Sequence, residues 1–190
     1  MSLTREDVVD AALSLLRTFG LGDLSMRRLA RELGVQPGAL YWHVASKQAL
    51  LVEVASRLLE PTRAPAAQGL TPEDALVEAA TGVRRALLGV PDGSDVVALA
   101  WAVDPAAVPA LTDLAALVEA VTGPGERHAA ATHLLLHHVL GSVTADQTRE
   151  RAAAIDPARP APEAAAAEAT FASGLALILR GIGVDAETVA

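Results

Sequence analysis

The sequence predicts an all-α fold: an N-terminal head of three short helices in helix-turn-helix order, joined by a fourth helix to a larger helical body. Three observations predict it. The chain is 52% hydrophobic but only 3% aromatic, rich in alanine and leucine and poor in β-branched runs, a composition that suits helices better than sheets. Apolar residues recur at helical spacing between serine or threonine caps and glycine stops. A glycine also separates the second and third short segments, as a helix-turn-helix requires.

The first helix opens on Thr4-Arg-Glu-Asp7, where hydroxyl and carboxylate can satisfy orphan amides. Val8, Ala11, Ala12, Leu15, Leu16 and Phe19 follow at helical spacing as its core face, and Gly20 ends it. Ser25 caps a second helix that runs to Gly34, with Met26, Leu29, Ala30 and Leu33 inward and Arg27, Arg28 and Arg31 outward. Pro37, favoured at a first helical position, starts a third helix of about two turns. Ser46 caps the fourth, whose apolar face carries Leu50, Leu51, Val54, Leu58 and Leu59. Residues 61–69 shift to Pro, Ala and Gly, which divides the chain into a head (1–60) and a body (61–190).

In the body, Thr71-Pro72-Glu-Asp74 opens a helix to about Leu88, and PDGSD (91–95) reads as a turn. Asp104-Pro105 starts a helix to about Val121, broken by Gly123-Pro124-Gly125. A long apolar helix is expected from Glu126 to about Thr148, then a loop through IDPARPAPEAAAAE, then a last helix from about Glu163 to Arg180.

No uninterrupted apolar run approaches the ~18–20 residues of a membrane span. The N-terminus is charged where a secretion signal would be apolar, so a cytoplasmic location without a membrane partner is expected. There is no cysteine, hence no disulfide, thiolate nucleophile or cysteine-ligated metal. No Gly-x-Ser-x-Gly, phosphate loop or dinucleotide fingerprint points to an enzyme, and no cofactor is implied. The net charge of −8 is uneven: residues 1–63 hold eight basic and seven acidic residues, residues 64–190 seven and sixteen. A near-neutral head on an acidic body is compatible with nucleic-acid binding by the head alone.

The outer face of the third helix is unusual. At 100° per residue Leu40 and Val44 fall together, toward a small core, while Gly38, Ala39 and Trp42 lie opposite, flanked by Tyr41 and His43. A merely solvated face would carry Glu, Lys and Gln. Small residues and polar-tipped aromatics instead let a backbone approach closely and hydrogen-bond around itself, as a DNA groove lined with phosphates requires. Lys47, just after the Ser46 cap, adds a cation at a helix N-terminus.

GVQPGALYWHVASKQALL (34–51), with LSMRRLARELGV upstream, resembles the DNA-binding head of the tetracycline-repressor (TetR) family, without a gap from residue 4 to about 59. The resemblance implies a DNA-facing set of Arg27, Gln36, Pro37, Gly38, Ala39, Tyr41, Trp42, His43 and Lys47. Tyr41, His43 and Lys47 would meet phosphates, Arg27 and Gln36 base edges, and Met26 and Ala39 thymine methyls. VRRALLGVPDGSDVV, HHVLGSVTADQ and FASGLALILRGI are similar to the ligand-binding half of the tetracycline repressors, over roughly residues 71–183. That similarity implies a drug-sized cavity and a two-fold dimer formed by the Glu126–Thr148 helix and the last helix.

Against the metal–tetracycline grip of those repressors the chain departs. Val97 stands where a metal-binding histidine would be, Ala79 where an asparagine would be, and Val83 where an aromatic would be; His137 matches a pocket histidine. The resemblance thus implies a regulator, foremost a repressor, that binds a palindromic double-stranded operator as a homodimer. A small, mainly apolar effector would release it, lying among Ala79, Val83, Val97, His137 and Trp101 as a candidate wall. An activator or a ligand-independent DNA-binding protein on the same fold is the alternative. His133 and His137 have the i, i+4 spacing of metal ligands but no third ligand nearby, so a pocket or interface role is the preferred reading and no metal site is expected.

Overall fold

A computed structural model of the chain describes residues 3–63, 69–156 and 163–183. Among them nine α-helices and no strand form: α1 Arg5–Phe19, α2 Met26–Glu32, α3 Pro37–Leu40, α4 Lys47–Leu59, α5 Pro72–Leu88, α6 Gly93–Val103, α7 Pro109–Thr122, α8 Glu126–Ile155 and α9 Ala164–Gly183. Most of the central stretch of residues 61–69, and much of the loop before α9, lie outside the described residues. The described parts of Met1–Arg63 and Arg85–Thr112 pack as one compact unit, and those of Ala64–Arg84 and Asp113–Ala190 as another.

The first unit is built on caps legible in the sequence. The Thr4 hydroxyl accepts the Asp7 amide at 3.1 Å while the Thr4 amide donates to Asp7 at 2.8 Å, a reciprocal capping box. The Thr4 hydroxyl also donates to the Asp7 carboxylate at 2.7 Å, and that bond, followed by the one from the Thr4 amide, holds the Asp7 carboxyl below its ordinary range. Ser25 and Ser46 accept from Arg28 and Ala49 in the same way. Val8, Ala12, Leu16, Leu29, Leu40, Leu50 and Val54 then meet in one core. Arg5 clamps α1 to α4 through two hydrogen bonds to Glu53, at 2.6 and 2.7 Å.

α6 is an element that periodicity does not show. GSDVVALAWAV is apolar nearly all round, so it has no stripe, and its opening residues look like a turn. It nevertheless forms three turns of helix whose Val96, Val97 and Ala100 are buried, and it packs on α4. Phe19 also departs from expectation: it keeps the phase of the α1 core face but is 48% exposed, with the Arg28 guanidinium 3.8 Å over its ring.

The second unit is dominated by the packing of α8 on α9. α8 continues to Ile155, about two turns beyond the sequence estimate, because the added RERAAAI segment is a good if partly polar helix former. At its centre Arg84 of α5, 2% exposed, pairs with Asp146 of α8 and, at 2.9 Å, with Glu168 of α9, under the Phe171 ring. By length and composition alone α9 is long and apolar enough to cross a membrane over Ala164–Ile182, although it is not an uninterrupted apolar run. The two charges within it, Glu168 and Arg180, hide this from a search for uninterrupted runs.

Candidate nucleic-acid interface

The interface is positioned by two serine caps and one turn. Ser25 starts α2, and Gly34 at φ 66 reverses the chain after it, with the Val35 amide donating to the Ala30 carbonyl at 2.9 Å. α3 then spans only Pro37–Leu40, shorter than the two turns expected. Beyond it the His43 amide bonds the Leu40 carbonyl at 2.9 Å, an i to i+3 contact, so the segment tightens into turns through Tyr41, Trp42 and His43. The cause is composition: a proline, a glycine and three aromatic or imidazole side chains in a row are weak helix formers.

Leu40 and Val44 are buried as the helical wheel requires. Opposite them Trp42 is 90% exposed and Tyr41 53% exposed. Gln36, Pro37, Gly38 and Arg27 are exposed as well, while Ala39, His43 and Lys47 are half-buried. A Cβ on Gly38 would meet no atom within 4 Å, so the α3 backbone is open to whatever approaches that face. Two bare aromatics have no stability rationale on a chain with so few.

The cations sort into two groups. Arg5, Arg28 and Arg57 are engaged with Glu53, Asp23 and Asp10, respectively. Arg27, Arg31 and Lys47 make no ion pair among the described residues, and neither does Arg17 on the solvent side of α1. Arg31 shares the outward face of α2, and its unpaired state beside Arg27 gives it equal standing. Lys47 is the first residue of α4, directly after the Ser46 cap, where the helix dipole favours an anion.

The five residues singled out in the body are placed as follows. Val83 on α5 and Val97 on α6 are buried, and Ala79 and Trp101 are half-buried. The His137 ring is exposed on α8 and stacks with His133, centroids 6.4 Å apart. No cluster of three or more His, Cys, Asp or Glu side chains suited to a metal occurs among the described residues.

Residues 8–54 match the family described as bacterial regulatory proteins, tetR family. The class D tetracycline repressor of Escherichia coli is 43% identical over 97 residues, covering 50% of this chain and 44% of that protein, so the match spans less than half of that relative's length. The class A tetracycline repressor from transposon 1721 of Escherichia coli is 30% identical over 191 residues, covering 92% of this chain and 88% of that protein. The chain belongs to the tetR family. Among solved structures of tetR-family regulators, BioQ of Mycobacterium smegmatis has 34% identity and a TM-score of 0.83 over 96% of this chain and 98% of its own. A BioQ bound to its natural double-stranded DNA operator has 33% identity and a TM-score of 0.80, over 97% of this chain and 100% of its own. The TetR-Q116A variant from Acinetobacter baumannii, in complex with minocycline, has 30% identity and a TM-score of 0.75 over 95% and 96%.

Proposed function

We propose that this tetR-family chain is a transcriptional repressor that binds a palindromic operator as a homodimer and is released by a small, mainly apolar organic molecule. The bare Trp42–Tyr41 pair, set among the unpaired cations Arg27, Arg31 and Lys47, carries the reading. In it the head, residues 1–60, binds DNA through Arg27, Gln36, Pro37, Gly38, Ala39, Tyr41, Trp42, His43 and Lys47, and residues 61–190 form the effector-binding and dimerising body. The operator-bound BioQ and the minocycline-bound TetR variant support the two halves of the proposal.

Two recognition segments related by a two-fold axis reach successive major grooves when they are about 34 Å apart. Communication runs through α4, which packs on α6 in the same compact unit. A ligand that shifts α6 would shift α4, and both heads would then miss the fixed spacing of their half-sites. Linkage makes ligand and operator weaken each other equally.

Selection of duplexes from a random DNA pool by the purified protein tests the proposal. An inverted repeat with half-sites one helical turn or slightly more apart is expected, with binding that weakens as salt rises and is lost in Trp42→Ala. Failure to enrich any duplex over a pool without protein would overturn it.

A further inference from the structure

Among the described residues three side-chain polar atoms are shielded from solvent without a hydrogen-bond partner: Arg84 Nε, His128 Nδ1 and Thr132 Oγ1. The first belongs to a guanidinium whose other nitrogens serve Asp146 and Glu168, so it is the remainder of a crowded ion cluster. The other two are of a different kind. They lie four residues apart on α8, one above the other on a single face. That face is otherwise the buried apolar stripe of Leu135, Leu136 and Val139.

The state of Thr132 is unusual for a helical threonine. Thr18, Thr122, Thr144 and Thr170 each turn their hydroxyl back to the carbonyl four residues earlier, at 2.8 to 3.1 Å. Thr132 could bond the His128 carbonyl in the same way and does not, although it is only 5% exposed and has most to gain. A buried hydroxyl and a shielded imidazole nitrogen left unpaired one helical turn apart are not a packing solution, since valine and phenylalanine would fill the same space without an unmet hydrogen bond.

Given the reading of the body as effector-binding, on which this rests, we infer that His128 and Thr132 are the polar contacts that recognise the effector. They specify an uncharged apolar molecule carrying a hydroxyl. The Thr132 hydroxyl donates to the effector oxygen and that oxygen's own proton goes to His128 Nδ1, which meets both needs at once. Leu135, Leu136 and Val139 favour an apolar scaffold around that oxygen. A carboxylate suits this apolar face less well, because its charge would be taken out of water there without a partner.

The test compares 2-naphthol with naphthalene, probes that differ by one hydroxyl, by calorimetry on the full chain and on Thr132→Val. Wild type is expected to bind 2-naphthol about tenfold more tightly than naphthalene. Thr132→Val should erase that preference and leave naphthalene binding unchanged, and His128→Phe should do the same. Without any probe, Thr132→Val should melt at the same temperature as wild type or higher, since it removes an unmet hydrogen-bonding group. Equal binding of the two probes to wild type, a preference that survives Thr132→Val, or a lower melting temperature would each overturn the inference while the effector-binding body stands. Binding of neither probe would remove the effector-binding reading together with it.

Discussion

Asp92 Oδ2 accepts the backbone amide of Leu21 at 2.9 Å, joining the corner between α1 and α2 to the turn that opens α6. Special backbone flanks the bond on both sides. Asp92 sits at φ 56, and Gly20, beside Leu21, at φ 76 and ψ 179, a region essentially reserved for glycine. A Cβ on Gly20 would come within 2.7 Å of the Asp92 oxygen. Gly20→Ala is therefore expected to lower stability by about 1–3 kcal/mol, through strain and loss of the tether. Asp92→Ala should cost about 1 kcal/mol, through the orphaned amide. Asp92→Asn, which keeps an acceptor and tolerates positive φ, should be nearly neutral. Urea denaturation of the three variants at one protein concentration measures this.

Arg84 sets a harsher condition in the other unit. Its guanidinium is almost wholly buried, and its charge is met by Asp146, itself buried and also held by Arg149, and by Glu168. Removing the buried carboxylate alone, as Asp146→Ala, leaves the buried guanidinium with only the part-exposed Glu168 to balance it, and should cost about 3–5 kcal/mol. The double change Arg84→Met with Asp146→Leu should recover most of that loss, because an apolar pair of similar volume needs no partner. Denaturant midpoints of single and double variants decide it. A double variant no more stable than Asp146→Ala would mean that the cluster is needed for more than charge balance.

On DNA, Lys47 and Arg27 should separate. Lys47→Ala is expected to weaken all sequences about equally and to flatten the salt slope by about one unit, as loss of one phosphate contact does. Arg27→Ala should cost about 1–3 kcal/mol on a selected operator and much less on random duplex. Fluorescence anisotropy across a salt series reads both. Equal losses for Arg27→Ala on the two duplexes would reassign it to phosphate.

The head was legible because its signals are local. Thr4, Ser25 and Ser46 announce their helices through cap chemistry, and Leu40 and Val44 give the inward face of α3 by phase alone. What escaped is set by tertiary contacts. α6 has no polar side to create a period, so its helix follows from burial against α4 rather than from pattern. Phe19 kept its phase and still emerged, because at the last position of α1 it caps a core instead of filling one, and Arg28 covers it. The pairing of Arg84 with residues 62 and 84 positions away has no sequence signature, nor has the unmet hydroxyl of Thr132.

Magnesium–tetracycline is not expected to release the operator. Val97 and Val83 are buried aliphatic side chains and Ala79 is a bare methyl, so none offers a ligand atom to a chelated cation or a ring to the drug. Operator release at micromolar tetracycline, dependent on magnesium, would contradict this. The experiment is a titration of the preformed protein–DNA complex with and without chelator.

The last prediction concerns α9. Over Ala164–Ile182 it is apolar, with a mean hydropathy of 1.3, yet only 17% of that stretch is buried. Leu177 is 63% exposed, and with Leu134 of α8 it borders an apolar groove of about 450 Å³ that Ala130, Ile178 and Ile182 continue. Exposed apolar surface of this extent calls for a cover, either a second copy or a lipid phase. A second copy suits the chemistry better. Glu168, on the same helix, is bonded to buried Arg84, and pulling α9 into hydrocarbon would strip a charge from that cluster. In a two-fold dimer Leu177 of each copy would meet apolar surface of the other, so Leu177→Glu should place uncompensated carboxylates in the contact. The variant is expected to sediment as a monomer where wild type sediments as a dimer. Its operator affinity should fall by about a hundredfold or more, because one head alone loses the benefit of the linked half-site. Wild type that sediments as a monomer and floats with phosphatidylcholine vesicles would instead assign the α9 surface to a membrane.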